Sequence, residues 1–301
     1  MIKNIYSEGD KSITYAYNLT KNDYSILEEK LGMNEKKIND MTNEEIFTPR
    51  ISKSDWEIYK LYYPEIKSNE KQNKFSWSEI YPLIVLKKEN KIVIIDEKYF
   101  EEFYEFVEQY IELHGKNLDP DRFFLNILHR ISQSLYKYVR FFIGEHDNIE
   151  ILLREHQSNE NLISLSEVEQ GFYVYNIALR NLNYVVENIN EEPEFKQFEE
   201  YIVKILQEIN FTMDLSSSYC DICKTTRETY SSYISNNMNV TMKILAAVTI
   251  LIAIPNMIFG FYGMNILLPL QDKGFLVLGV IISVMIGLMI ILWKYMKKKI
   301  L

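Results

Sequence analysis

The stretch Tyr262-Gly263-Met264-Asn265 separates two apolar segments near the end of this 301-residue chain. Residues 244–261 carry no charge and only two polar side chains, and residues 275–293 are apolar apart from one serine. Each segment is about as long as a helix must be to cross a hydrocarbon core of about 30 Å. We therefore predict two transmembrane helices, rather than a buried helical hairpin in the core of a water-soluble protein.

Lysines at both ends of this region indicate how it is oriented. Lys243 precedes the first segment, and four lysines follow the second: Lys294, Lys297, Lys298 and Lys299. Because positive side chains stay on the cytoplasmic side, both termini should face the cytoplasm and residues 266–274 should face outward. The chain does not open with a charged and then apolar signal peptide, so we expect a cell-membrane protein whose residues before the first segment lie in the cytoplasm.

The composition divides the chain into a large polar part and a small apolar part. Residues up to about 239 are rich in Glu, Lys, Asn and Tyr, and the formal net charge is −9. A net negative charge argues against nucleic acid as a partner and is compatible with a protein that handles cations. The expected partners are therefore divalent cations and the lipid bilayer.

The pattern of the polar part predicts strands first and helices afterwards, which is typical of an α+β domain followed by a helical region. β-branched and aromatic runs predict strands at residues 14–19, 57–63, 80–86 and 91–95. Three-to-four spacing of apolar residues predicts helices at residues 24–31, 34–41, 100–114, 123–142, 148–155 and 166–188. Thr20 to Asp23 has the pattern of an N-terminal cap for the first of these helices.

After the break at Glu191-Glu192-Pro193, no Gly or Pro occurs from residue 194 to residue 254. This predicts one helix of roughly 60 residues, about 90 Å long, that runs into the first membrane segment. Its middle carries a hydroxyl-rich stripe, namely Thr212, Ser216, Tyr219, Cys223, Thr226 and Tyr230. Two interpretations are open: the stripe faces symmetry-related copies around a wet axis, or it packs within a helical stalk.

A second stripe on the same predicted helix lies within the membrane region. Its members recur at steps of three and four residues and so share one helix face: Asn239, Met242, Leu245, Thr249, Ala253, Asn256 and Gly260. Around an axis, the amides would form polar rings that bind ions or their waters, and Met242 with Leu245 would form an apolar constriction. The alternative is ordinary helix–helix packing, which also uses small and polar residues.

These features together resemble the CorA family of magnesium and cobalt channels. The resemblance rests on Asn236-Asn237-Met238-Asn239, Met242-Lys243, Tyr262 to Asn265 and the lysine-rich tail. It implies a funnel-shaped homopentamer. In chain order, each subunit would have an α+β cytoplasmic domain at residues 1–118, a helical hairpin at 119–193 and a stalk helix that continues into the pore at 194–262. An outer loop at 263–274 and a second transmembrane helix with its tail at 275–301 would follow.

The same resemblance assigns roles to residues. Gly263, Met264 and Asn265 would form the outer ion site, the second stripe would line the pore, and Lys294, Lys297, Lys298 and Lys299 would ring its neck. Mg²⁺ on the cytoplasmic side would close the channel by binding carboxylates between subunits, with Glu228 at one such position. The outer loop departs from the family pattern, and Asn256 stands where Thr is usual, so the choice among Mg²⁺, Co²⁺ and Ni²⁺ stays open.

The pore face also indicates how an ion would be recognised. Mg²⁺ gives up its water reluctantly, and the predicted face carries no carboxylate that could replace that water. Amide oxygens and backbone carbonyls can instead accept hydrogen bonds from the waters of an intact hydrated ion, and Gly263 permits close approach of the backbone. We therefore expect outer-shell recognition, with Mg²⁺ as the transported and regulatory ion and no prosthetic group.

Two other functions remain possible at this point. One is a proton-coupled transporter of Zn²⁺ or another divalent metal with the same fold, and the other is a two-span membrane-anchored sensor or scaffold. An enzyme is not expected, because the chain shows no nucleophile, phosphate loop or metal-ligand spacing. Cys220 and Cys223 form one CxxC pair, which supplies too few ligands for a zinc site; the sequence gives them no role.

Overall fold

A computed structural model describes residues 1–31, 50–53, 56–67, 77–96, 98–264 and 274–299. Its internal contacts divide the chain into two compact units, Met1–Arg227 and Glu228–Leu301. The helix predicted at residues 34–41 lies outside the described residues.

The first unit contains a six-stranded sheet in the order β1-β2-β6-β5-β4-β3. The strands are β1 Ile2–Glu8, β2 Lys11–Tyr17, β3 Arg50–Lys53, β4 Trp56–Lys67, β5 Trp77–Lys88 and β6 Lys91–Asp96. β2 and β6 pair in parallel, whereas the other neighbours pair antiparallel. The four predicted strands are confirmed, while β1 and β3, which lie at the two edges, were not predicted.

The inner strands are covered on both faces. Ile84 and Leu86 pack on one face in a cluster that includes Leu27 of helix α1 (Lys21–Leu31). On the other face, the ring of Tyr59 lies 4.6 Å from that of Phe124, measured between centroids. Because the side chains on both faces are buried away from water, the sequences of these strands are continuous apolar runs rather than alternating apolar and polar residues.

The predicted cap of α1 is confirmed. The backbone N–H of Thr20 donates to Asp23 Oδ2 at 2.9 Å, and the Asp23 N–H donates to Thr20 Oγ1 at 3.4 Å. These bonds satisfy backbone donors that a helix start leaves without partners. The Asp23 carboxylate accepts hydrogen bonds from the Thr20 N–H, the Thr20 hydroxyl and the N-terminal ammonium group, and these bonds lower the pKa of Asp23 to about 2.

Helix α2 (Glu101–His114) starts and ends close to its prediction, but the next two predicted helices form a single helix, α3 (Pro120–Glu155). The prediction of a break at residues 143–147 was wrong because the buried side of the helix continues through Ile143 and His146. Asp119 caps α3 by accepting hydrogen bonds from the N–H groups of Asp121 and Arg122. Helix α4 (Asn159–Asn190) starts seven residues before the predicted residue 166.

The long helix is α5 (Glu199–Tyr262), and a final helix, α6, spans Gly274–Lys299. A turn of 3-10 helix, Pro193–Phe198, precedes α5, so the α-helix starts five residues after the predicted residue 194. Pro255 lies inside α5 and removes one N–H from its hydrogen-bond ladder.

The part of the hydroxyl-rich stripe from Thr212 to Cys223 faces α3 and α4 of the same chain, so the wet-axis interpretation was wrong for that part. Thr212, Ser216 and Cys223 are buried. The Ser216 hydroxyl donates to the backbone carbonyl of Phe172 on α4 at 3.1 Å. The Tyr219 ring lies 5.9 Å from the Phe172 ring and 5.9 Å from that of His146 on α3. Hydroxyls are tolerated here because main-chain carbonyls satisfy them.

Gly171 of α4 packs tightly against Phe142 of α3. A Cβ at this position would lie 2.7 Å from Cε1 and Cζ of Phe142. The Phe142 ring is itself held by Phe172 and Tyr175, at centroid distances of 5.7 and 5.3 Å. The site therefore has room for glycine and no larger residue.

Substituting Gly171→Ala tests this packing. The Phe142 ring must move, which costs about 1–3 kcal/mol, while alanine returns about 1 kcal/mol of helix propensity. We expect a net destabilisation of about 1 kcal/mol, measured by denaturant or thermal unfolding. Gly144→Ala on α3 is the control, because a Cβ there meets nothing within 4 Å and should stabilise the protein. Equal stabilities of the two variants would contradict the proposed packing.

Candidate ion pathway

The seven residues of the predicted pore face all lie on α5, within the second unit, and all are exposed in the single chain. At 100° per residue they occupy an arc of about 120° on the helix. Met242 and Leu245 are 63% and 65% exposed, and other apolar side chains of this part of the helix, such as Ile252, are exposed as well. The structure thus brings the seven together on one uncovered face, and their role as a pore lining stays a prediction.

The chain itself partly covers a different side of α5. Ala247 is buried, and Leu251, Ile254 and Ile258 are half-buried, at steps of three and four residues. This row lies roughly opposite the predicted pore face, at 100° per residue. The predicted face is therefore not the side on which this helix packs within its own chain.

Thr249 offers a polar atom in the middle of the exposed face. Its hydroxyl donates to the carbonyl of Leu245 at 2.9 Å. The proton is thereby used within the helix, and the oxygen keeps its lone pairs as acceptors for water. An acceptor at this depth suits the waters of a hydrated cation better than an anion.

Met257 belongs to the same face and was missed by the sequence interpretation. It is 71% exposed and follows Asn239 by 18 residues, which is about five full turns at 3.6 residues per turn. The 18-residue interval from Asn239 can be read from the sequence, but a methionine in an apolar segment does not by itself indicate a pore-lining position. The thioether of Met257 adds an apolar group to the face near the C-terminal end of α5.

The helix ends where the Gly-Met-Asn motif begins. The Gly263 N–H donates to the Phe259 carbonyl at 2.8 Å, and a Cβ at Gly263 would lie 3.2 Å from that same oxygen. Glycine thus allows the chain to leave the helix closely packed against its last turn. Gly263 and Met264 are exposed, whereas Asn265 lies outside the described residues.

Helix α6 follows the predicted loop and carries the lysine-rich end. It extends through Lys299, and Lys294 is exposed, while the side chains of Lys297, Lys298 and Lys299 lie outside the described part. The Ser283 hydroxyl donates to the Gly279 carbonyl at 2.8 Å. This bond satisfies the one hydroxyl of the apolar segment without a partner from outside the helix.

Within the described residues, one helix is long and apolar enough to cross a membrane. It lies in Pro193–Phe261, and 6% of its apolar window is buried, while Gly279–Ile291 forms a shorter apolar stretch. The core helix of a water-soluble protein would be mostly covered. The low burial therefore argues against the buried-hairpin alternative, and the second span remains a prediction.

Glu228, the candidate regulatory residue, is exposed on α5. The neighbouring Arg227 is engaged elsewhere, since its Nε lies 3.1 Å from Glu169 Oε2 on α4. Among the described residues, no group of three or more His, Cys, Asp or Glu side chains could hold a metal ion.

The chain can now be compared with known proteins. A family model described as "CorA-like Mg2+ transporter protein" matches residues 15–298. The chain therefore belongs to the CorA-like Mg²⁺ transporter family, whose members are membrane transporters of divalent metal ions and not enzymes. No curated protein matches the sequence.

Solved structures share its fold. The complete CorA magnesium transporter from Methanocaldococcus jannaschii is 16% identical, with a TM-score of 0.76 over 98% of this chain and 92% of that one. The full-length CmaX protein is 12% identical, with a TM-score of 0.67 over 94% and 88%. The soluble domain of the M. jannaschii protein is 13% identical, with a TM-score of 0.61 over 72% and 86%. Identities this low show the fold alone: an α+β domain followed by long helices.

Cys220 and Cys223 lie on the side of α5 that packs within the chain. Cys223 is fully buried, and the Cys220 thiol is half-buried, 3.9 Å from the Glu169 carbonyl. Burial raises the pKa of Cys223 to about 12 and also raises that of Cys220. Both thiols therefore stay protonated near neutral pH, and the Cys223 sulfur is covered by the chain itself.

Thiol labelling tests this placement. At pH 7.5 a maleimide should leave Cys223 unmodified in the folded protein, because the reactive thiolate is scarce and the sulfur is covered. We expect slow single labelling in wild type and none in Cys220→Ser, with complete labelling of both proteins after denaturation. Mass spectrometry distinguishes these products, and rapid double labelling of the native protein would refute the assignment.

Proposed function

We propose that the protein is a channel through which hydrated Mg²⁺, or Co²⁺ or Ni²⁺, enters the cytoplasm. The observation that carries the proposal is the exposed face of α5, on which amides and a hydroxyl recur in line. Residues 244–261 of this helix are otherwise apolar, and the helix ends at the Gly-Met-Asn motif. Single polar side chains on an uncovered membrane helix are costly in lipid. Water and ions on that side would remove the cost.

Such a pathway needs several copies of α5 around an axis, and we propose a homopentamer. Each subunit would cross the membrane twice, with both termini in the cytoplasm and the tail lysines around the neck of the pore. The face of each α5 would then contribute one position to every ring. Amide rings would form at Asn239 and Asn256, and a narrower apolar ring at Met242 and Leu245 would close the pore by dewetting.

The ion would pass with its water shell intact. Residues 239–264 contain no carboxylate, so the pore would offer oxygen atoms that accept hydrogen bonds from bound water. Asn265, supported by the close turn at Gly263, would make the first such contact from outside. Inward movement would be driven by the membrane potential, worth about 4.6 kcal/mol per 100 mV for a divalent ion.

Internal Mg²⁺ would then regulate the channel from the cytoplasmic side. Glu228 is exposed and would bind the ion with a carboxylate of a neighbouring subunit. As the internal concentration rises, occupied sites would hold the subunits in a closed arrangement.

Mg²⁺ uptake into proteoliposomes tests the central claim. With an internal fluorescent reporter and a negative internal potential, we expect uptake that cobalt hexammine blocks, because that complex imitates a hydrated ion. Asn265→Ala should abolish uptake while leaving the unfolding temperature unchanged. Selective uptake retained by this variant would refute outer-shell recognition at the mouth.

The driving force separates the two transport mechanisms. Uptake of Zn²⁺ or Mg²⁺ that requires a pH gradient and ignores the potential would indicate a proton-coupled transporter. The absence of cation movement under either gradient would favour the membrane-anchored sensor.

A pair of threonine variants tests the pore face itself. Thr249 and Thr241 both donate to a carbonyl one turn earlier, at 2.9 Å, but Thr241 lies about 100° from the centre of the predicted face. Thr249→Val removes an acceptor for ion-bound water, worth about 1 kcal/mol, and should reduce flux about fivefold. Thr241→Val makes the same chemical change and should retain flux, so equal losses would argue against the assigned face.

A further inference from the structure

An open cavity of about 480 Å³ lies between the start of α3 and the start of α5 in the first unit. Arg122 and Asn126 of α3 line one side, and Phe198, Tyr201 and Lys204 line the other. The volume is within the range of about 300–1,000 Å³ that small-molecule sites occupy. None of its described lining residues belongs to the proposed ion pathway, so the cavity needs an explanation of its own.

Hydrogen bonds hold the two walls of this cavity together. The Tyr201 hydroxyl donates to Asn126 Oδ1 at 3.1 Å, and Asn126 Nδ2 donates to the Arg122 carbonyl at 2.7 Å. The Tyr201 oxygen also lies 2.9 Å from Nδ1 of His129. Because these polar atoms are satisfied within the protein, Asn126 and Tyr201 shape the cavity and leave the recognition of a ligand to other side chains.

Two cationic side chains line the cavity without an acidic partner. Arg122 and Lys204 are both exposed, and neither forms an ion pair within the part of the chain that the structure describes. Asp121, next to Arg122 in sequence, is engaged elsewhere, since its Oδ1 lies 3.1 Å from Nζ of Lys87. An anion that enters the cavity would therefore meet two positive charges that the protein leaves uncompensated, although the whole chain carries a net charge of −9.

The chemistry of these two side chains favours a phosphate group. The planar guanidinium of Arg122 can donate two parallel hydrogen bonds to a phosphate, and the Lys204 ammonium adds a compact positive charge. A phosphate monoester carries a charge of about −1.5 to −2 at pH 7. Two cations match this charge, whereas a single carboxylate would leave one of them unbalanced.

The rest of the cavity suits an organic group attached to the phosphate. Phe198 is half-buried and offers an aromatic surface, and Gln197 and Glu200 are exposed polar residues of the same lining. An amide donates and accepts hydrogen bonds, whereas an ionised carboxylate only accepts them. Glu200 therefore suits a hydroxyl group of the ligand and disfavours a free anion in its place.

We infer that this cavity binds an organic phosphate, with the phosphate between Arg122 and Lys204 and the organic part against Phe198. The occupant would contact α3 and α5 at once and so stabilise their packing. The inference is independent of the proposed function, because no residue of the ion pathway takes part in it.

Isothermal titration calorimetry of the full-length protein in detergent tests the site, with ADP as the organic phosphate. EDTA is present throughout, so that metal ions do not contribute to the heat. We expect ADP to bind, pyrophosphate to bind more weakly and adenosine not to bind, because adenosine has no phosphate. Absence of ADP binding would overturn the inference, and so would adenosine or pyrophosphate binding as tightly as ADP.

Single variants locate the binding site. Arg122→Gln and Lys204→Gln should each weaken ADP binding about tenfold or more, because hydrogen bonds to charged groups are among the strongest that a protein makes. Lys196→Gln is the matched control: Lys196 is exposed in the same 3-10 turn as Phe198 and is not part of the described cavity lining. It should retain the wild-type affinity.

Melting temperatures show whether the variants remain folded. All three should match wild type without ligand, because the substituted side chains are exposed. Saturating ADP should raise the melting temperature of wild type and Lys196→Gln but not that of the other two variants. An equal loss of ADP affinity in all three variants, or no loss in any, would place the ligand elsewhere and overturn the inference.

Discussion

The packing of one side of α5 against α3 and α4 is the constraint on which the first unit depends. A long isolated helix gains little stability from propensity alone, so tertiary contacts must fix it. Here these contacts are partly polar: Ser216 reaches a carbonyl of α4, and His129 of α3 reaches two side chains of α5. Such bonds fix the rotation of the helix about its axis more closely than apolar contacts do. In the second unit, the same helix shows one covered row and one uncovered face.

Much of this fold could be predicted, because its strongest features are local. The inner strands were identified from their continuous apolar runs. Helix α5 was identified because no Gly or Pro interrupts it up to residue 254. β1 was missed because Lys3 and Asn4 interrupt its pattern; an edge strand is stabilised by its neighbour, not by its own apolar content. The break predicted within α3 failed because burial of His146 depends on Tyr219, which is distant in sequence.

The candidate site was less predictable, because the spacing of residues shows which of them share a helix face but not what that face contacts. The two stripes of α5 have the same period. The structure shows that Ser216 packs inside the chain while Thr249 does not. The contacts of His129 with Tyr201 and Glu208 could not be found from sequence, since these residues lie 72 and 79 positions further along the chain. Four scattered histidines carry no pattern that would single one out.

The parallel pairing of β2 with β6 has a consequence for how the chain is made. β2 aligns Ser12–Tyr17 with Lys91–Asp96, so its inner edge has no partner until the ribosome has released β6. The roughly 75 residues between the strands take about 4–15 s to synthesise at about 5–20 residues per second. During this interval Tyr15 and Ala16, both fully buried in the finished sheet, stay open to chaperones and to unwanted strand pairing. Protein yield should thus respond to translation speed across residues 18–90.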